Sequence, residues 1–174
     1  MNKNIPSHPS TELERIIEGM DAYFGIPRAA IETCHISNTY RDGKDITIFE
    51  VQLKDHNPPC IHCSNLKTTV HGYRTSHIKH SVLAGRNCEI HLKRRRYYCP
   101  VCQRTFSEEN PFVTRRRQIS LETVVNILED LKKPEETFAS VARRYGIGAS
   151  TAMQIFDTHV DMQRQPLSEY ICID

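Results

Sequence analysis

Apolar residues recur along this chain in two rhythms, and the change from one to the other divides it into segments. Over residues 10–24, Leu13, Ile16, Ile17 and Met20 fall at helical intervals, and Thr11 and Glu14 have the spacing of a capping box. That pattern predicts a short helix. Residues 31–37 and 46–53 look like strands instead, and in the second Phe49, Val51 and Leu53 alternate with Glu50 and Gln52. They predict a hairpin with one buried face, turned through Arg41, Asp42, Gly43, Lys44 and Asp45. The run His56-Asn57-Pro58-Pro59 ends this unit, because consecutive prolines cannot continue a ladder.

Residues 60–106 are poor in apolar positions and suit a two-stranded ribbon, 68–76 outward and 87–98 back, with a turn at 83–86. Cys88 is in phase with Ile90 and Leu92 on its better-buried face. After Asn110-Pro111 the helical rhythm returns three times. The first helix covers 120–131, with Ser120 as N-cap and Leu121, Val124, Val125, Leu128 and Leu131 on one face. Lys132-Lys133-Pro134 stops it. The second covers 137–145, with Phe138, Val141, Ala142 and Tyr145 inward and Gly146 at the left-handed position beyond its end. The third starts from Ser150 as N-cap and runs to about Val160, with Ala152, Ile155, Phe156 and His159 on one stripe.

The expected fold class is therefore α+β, built of small modules: 1–57, 58–110, 111–165 and a short remainder, 166–174. Composition agrees. In 174 residues, 39% are hydrophobic and 25% charged, with no Trp, which argues against one large core. No apolar run approaches the roughly 20 residues of a membrane span, and the first ten residues hold no apolar signal-peptide core. A reducing, cytoplasmic setting follows as the expectation, so the seven cysteines read as thiols or metal ligands.

The net charge of +2 conceals an asymmetry. From Cys60 to Arg117 there are twelve Lys or Arg against three Asp or Glu, while the rest of the chain is net acidic. A basic block in an acidic chain is an electrostatic footprint for a polyanion; a solvated basic face is the plainer alternative.

Cys60-Ile-His-Cys63 and Cys99-Pro-Val-Cys102 are two C-x2-C pairs with 35 residues between them. Each pair lets one tight turn present two thiolates, and two such turns complete a tetrahedral S4 site, which suits one structural zinc ion. A ribbon returns the second pair beside the first. Four thiolates leave no open position for a substrate, and zinc would supply folding free energy that so small a core lacks. His62 reads as an exposed turn residue. His71, His77, His80 and His91 read as polar surface of the ribbon rather than as a second metal site with Cys88, and Cys34 and Cys172 as small hydrophobes.

Lys93, Arg94, Arg95 and Arg96 extend the return strand, where successive side chains point to opposite faces; they are candidate phosphate contacts. So is Arg115-Arg116-Arg117, an arm ahead of the helices. Tyr97 and Tyr98 are expected to pack on the ribbon. Counted from Phe138, a small residue stands fifth (Ala142), Gly ninth (Gly146), and apolar residues fourth, eighth, tenth, fifteenth and eighteenth. That is a helix-turn-helix pattern: the small residue allows close helix approach and Gly allows the turn. Its second helix would enter the major groove of duplex DNA by its N-terminal end. Ser150, Thr151, Met153 and Gln154 would face bases, with Arg143 and Arg144 on phosphates.

In this order, PPCIHC, VHGYRTSHIKHSVLAGR, LKRRRYYCPVCQRTFSEENPFV and the helix-turn-helix closely resemble the N-terminal part of bacterial insertion-sequence transposases of the ISL-three group. Ile61 stands where that family usually has Pro, and Ser64 where it often has Gly. The resemblance implies recognition of terminal inverted repeats, with a homodimer as one expected arrangement on them. It also implies a following ribonuclease-H-like domain whose Asp/Asp/Glu triad binds Mg2+. Asp174, ending PLSEYICID, matches the first of those acidic residues. One carboxylate cannot hold two metal ions, so this chain is expected to bind DNA without cutting it. A stand-alone or competing DNA-binding regulator, a zinc-stabilised protein-interaction module and a C-x-x-C thiol oxidoreductase are the alternatives.

Overall fold

The computed structural model describes residues 27–83, 86–113 and 118–161. The expected helix over 10–24 lies outside them, as do the tip of the ribbon, the Arg115–Arg117 arm and the residues from 162 onward. After a 3-10 turn, Arg28–Ala30, come five strands: β1 (Ile31–Arg41), β2 (Lys44–Leu53), β3 (Thr69–Leu83), β4 (Arg86–Tyr98) and β5 (Thr105–Ser107). Three helices follow: α1 (Leu121–Asp130), α2 (Phe138–Tyr145) and α3 (Ala149–His159). The fold class is α+β.

β1 and β2 form the expected hairpin, longer than the alternation indicated. Its turn is only Asp42-Gly43, both at positive φ (51° and 76°). Such a two-residue turn matches the twist of the strands it joins, so Arg41 pairs with Lys44 and the ladder runs to the end. β3 and β4 form the ribbon. Hairpin and ribbon, read from the sequence as adjoining modules, are strands of one sheet, ordered β1-β2-β4-β3, in which β2 runs parallel to β4 and β5 pairs with the far end of β4. β2 is thus an interior strand, and Ile46, Thr47, Ile48 and Phe49 are all buried, where alternation predicted a single buried face.

β4 changes its buried side along its length. Cys88, Ile90 and Leu92 join Phe49, Val51, Ile78 and Phe112 in the main core, with Cys34 packed against it. Arg95, Tyr97 and Cys99 are buried on the opposite face, where Tyr97, Phe106, Cys60 and Cys99 make a second cluster. Tyr97 stacks on Phe106 and its hydroxyl donates to Asp55 (2.9 Å), as expected for a tyrosine packed on the ribbon. His80, expected at the surface, is buried beside Ser120, its Nδ1 2.8 Å from the hydroxyl.

The chain separates into two compact units, residues 1–126 and 127–174, with the division inside α1. Ser120 caps α1 as expected, its Oγ accepting from the Thr123 N–H (3.1 Å). The buried positions of α1 are Thr123, Val124 and Ile127, while Leu121 and Val125 are exposed. The true stripe is therefore rotated from the predicted one, by Ile127 taking the place given to Val125.

α2 begins at Thr137, which forms a capping box with Ser140. It ends at Gly146 (φ 63°), whose N–H and that of Ile147 close the last turn onto Arg143 and Ala142. Only a residue at ease in the left-handed region fits there. α3 is capped by Gly148, with no side-chain cap bond. Ser150 is therefore not its N-cap: the helix starts earlier, placing Ser150 within the first turn. Val141, Ala142, Ala152 and Ile155 are buried, and Phe138 meets Phe156 edge-on (5.6 Å). His159, expected inward, is exposed.

Candidate metal centre and nucleic-acid interface

Two turns bring the four cysteines together. In each, the residue after the second cysteine takes a positive φ, Ser64 at 58° and Gln103 at 55°. That kink lets the Cys60 N–H bond to the Asn65 carbonyl and the Cys99 N–H to the Arg104 carbonyl (both 2.9 Å). β4 delivers Cys99 directly from Tyr98, and the β3–β4 register, Thr69 opposite Tyr98, returns it beside the first turn.

The four sulfurs all lie within 4.8 Å of one another, with Cys60–Cys102 and Cys63–Cys99 each at 3.6 Å. A tetrahedron with metal–sulfur bonds of about 2.3 Å has edges of roughly 3.8 Å, so this donor set fits one zinc ion. It is far too open for a disulfide, whose sulfurs stand about 2.05 Å apart. Amide hydrogens point at the sulfurs, from His62 to Cys60 (3.4 Å) and from the Asn65 side chain to Cys99 (3.5 Å), as suits anionic thiolates. The Cys99 thiol is drawn down to about 6, first by the Cys102 N–H, working against burial, with the Asn65 amide assisting. His62 is exposed, as expected of a turn residue.

The basic run Lys93–Arg96 divides by side chain. Arg95 is 4% exposed. Its guanidinium pairs with Glu108 (3.0 Å, itself 1% exposed), Glu32 (2.7 Å) and Asp55 (3.7 Å), and donates to the Leu53 carbonyl (2.6 Å). The expectation that Arg95 contacts phosphate is therefore corrected: it is an internal ion-pair residue tying β4 to the hairpin and to residue 108. Arg94 is half-buried and donates to the Glu108 carbonyl through Nε (2.8 Å) and Nη2. Arg96 is exposed and donates to Thr105 (2.9 Å). Lys93 is exposed, its ammonium 4.7 Å from the centre of the Tyr73 ring.

Arg74, not singled out by its sequence context, stands opposite Arg94, and Gly72 opposite Arg96. Among the described residues, none of Arg74, Arg94 and Arg96 has a carboxylate within ion-pair distance. Like charges directly opposed on a sheet repel, and burial together with Arg74 lowers the pKa of Arg94, with Glu108 opposing. Counting pairs back from the ribbon turn would have set Arg74 opposite Arg95, because the register slips between His80 and Leu83. No local signal marks Glu108 as the buried partner of Arg95.

In the second unit, Arg143 is exposed. Arg144 pairs with Asp130 (2.5 Å) and with Glu136, fastening α2 to the end of α1, and its side chain stays 41% exposed. Ser150, Met153 and Gln154 are exposed at the start of α3, and Thr151 is half-buried. Arg115, Arg116, Arg117 and Asp174 lie outside the described residues.

Two family models match this chain. Residues 56–102 match the zinc-finger of transposase IS204/IS1001/IS1096/IS1165, and residues 108–160 match the helix-turn-helix domain of transposase family ISL3. No curated protein and no solved structure matches. The first model takes in all four cysteines and the second the whole α1–α3 segment. No helix among the described residues is long and apolar enough to cross a membrane.

Proposed function

From a chain that belongs to the N-terminal region of the ISL3 transposase family, we propose the function of recognising transposon ends: sequence-specific binding of duplex DNA at terminal inverted repeats. The observation that carries the reading is the joining, in one chain, of a zinc ribbon bearing carboxylate-free arginines to a helix-turn-helix whose second helix exposes polar residues at its start.

Cys60, Cys63, Cys99 and Cys102 hold one Zn2+, which serves as a structural clamp on the two turns. The amides of His62 and Asn65 stabilise negative charge on Cys60 and Cys99. Arg74, Arg96 and Lys93 on the ribbon, Arg143 on α2 and the Arg115–Arg117 arm neutralise phosphates. Such contacts bind without reading sequence. Gln154 is suited to a bidentate bond with adenine, Met153 to a thymine methyl, and Ser150 and Thr151 to base edges or phosphate. Inverted repeats offer two copies of the site, so two chains engage a pair of ends, in the cytoplasm at the nucleoid. Asp174 is by resemblance the first member of a Mg2+-binding triad.

Selection of bound fragments from random duplexes with the zinc-loaded chain tests this. A single preferred sequence with strong salt dependence is expected; binding without any sequence preference would overturn it. Gln154→Ala should relax discrimination at one base pair by roughly 1–3 kcal/mol.

A further inference from the structure

The sheet carries a second group of metal-ligating side chains, on the face of β4 opposite its main core. The strand pairings place His35, Glu50, His91 and His77 in one row across β1, β2, β4 and β3. Residues directly opposed share a face, so three imidazoles and a carboxylate cross the sheet side by side. They line a concavity with Thr75 and Lys93. Glu89 sits two positions before His91 on the same face of β4.

We infer that His77, Glu89 and His91 form a second metal site, for a divalent transition ion of the zinc, cobalt or nickel type, separate from the four cysteines. Their ligand atoms all lie within 4.8 Å of one another. The rings of His77 and His91 meet edge-to-face at 4.2 Å, and His91 Nε2 is 3.1 Å from Glu89 Oε2. Arg41 donates to the other carboxylate oxygen, Oε1 (3.3 Å). That bond orients Glu89 from behind and leaves Oε2 turned toward the histidines, which is how outer partners fix metal-binding carboxylates. The side chains of Glu89 and His91 are only 16% and 15% exposed, while His77 is open to solvent, so an ion has an entry path.

Two imidazoles and one carboxylate select borderline ions over Mg2+ or Ca2+. Three protein ligands also leave coordination positions open, unlike a closed S4 centre. The neighbouring cation Lys93 leans over Tyr73. The inference stands whether or not the chain reads transposon ends.

The test uses the untagged full chain with its cysteines first filled by one equivalent of Zn2+. Co2+ is then added and followed by visible absorption and by paramagnetic broadening of histidine ring resonances. One further equivalent should bind without thiolate charge-transfer absorption and broaden His77 and His91. The exposed His77→Ala variant, and separately Glu89→Gln, should weaken that equivalent by about 10–100-fold, the scale on which even outer partners act, with the zinc already bound unaffected. No binding beyond the cysteine-held ion, broadening confined to other histidines, or undiminished binding in both variants would overturn the inference.

Discussion

Replacing Arg95 with alanine would leave Glu108 buried without its cation, and an uncompensated buried charge costs roughly 3–5 kcal/mol. Arg95→Ala should therefore lower the urea midpoint of the full chain severely. Arg96→Ala, at an exposed position one residue along, should leave the midpoint nearly unchanged. Instead it should weaken binding to all duplexes alike and reduce the salt slope by about 0.9 for the phosphate lost. Both residues belong to one run of four cations, and nothing in the run distinguishes them. The difference arises because β4 switches its buried side after Leu92, so that Arg95 falls in line with Tyr97 and Cys99. Ser64 is the other informative residue. Its φ of 58° is costly for a side chain and easy for glycine, by about 1–2 kcal/mol before the entropy that glycine gives back. Ser64→Gly should raise the melting temperature of the zinc-loaded protein modestly, as read by calorimetry.

Among the elements, α2 is held by charge as well as by packing. Asp130 and Glu136 flank Arg144, and the pKa of each is lowered. For Asp130, burial pulls upward but is outweighed by bonds from Lys133, Arg144 and Tyr145; for Glu136, the Ser140 hydroxyl acts first and Arg144 next. A carboxyl lowered on folding contributes stability that is complete above its ordinary pKa, about 4, and fades as the pH falls through its native value. The α2–α3 transition, followed by NMR of the Phe138 and Phe156 rings, should therefore weaken on acidification below about pH 4. Arg144→Met should flatten that dependence. The helix-turn-helix itself was legible because its signals are local: small Ala142, Gly146, and apolar residues at helical intervals. The start of α3 was misread because Ser150 resembles a cap, whereas the chain turns at Gly148, whose backbone conformation serves without a side-chain bond.

At the scale of the whole molecule, zinc removal should act on the ribbon before anything else. A strong chelator should free four thiols to alkylation together, and hydrogen exchange at β5 and in both cysteine turns should accelerate while α2 and α3 keep their protection. Spacing alone located this centre, since two C-x2-C pairs and a hairpin-length insert permit few other geometries. The sheet was not legible to the same degree. Strands β2 and β4 each left an alternating trace, but their parallel partnership joins residues 41 positions apart, Ile46 with Asn87, and no short pattern encodes it. β5, three residues long, left no periodicity to detect. The parallel partnership also bears on how a ribosome delivers this chain. β2 is made long before β4, and at about 5–20 residues per second it waits roughly 2–8 s with an open backbone edge and Ile48, Phe49 and Val51 uncovered. During translation, that interval is when the nascent protein is most exposed to pairing with the wrong strand.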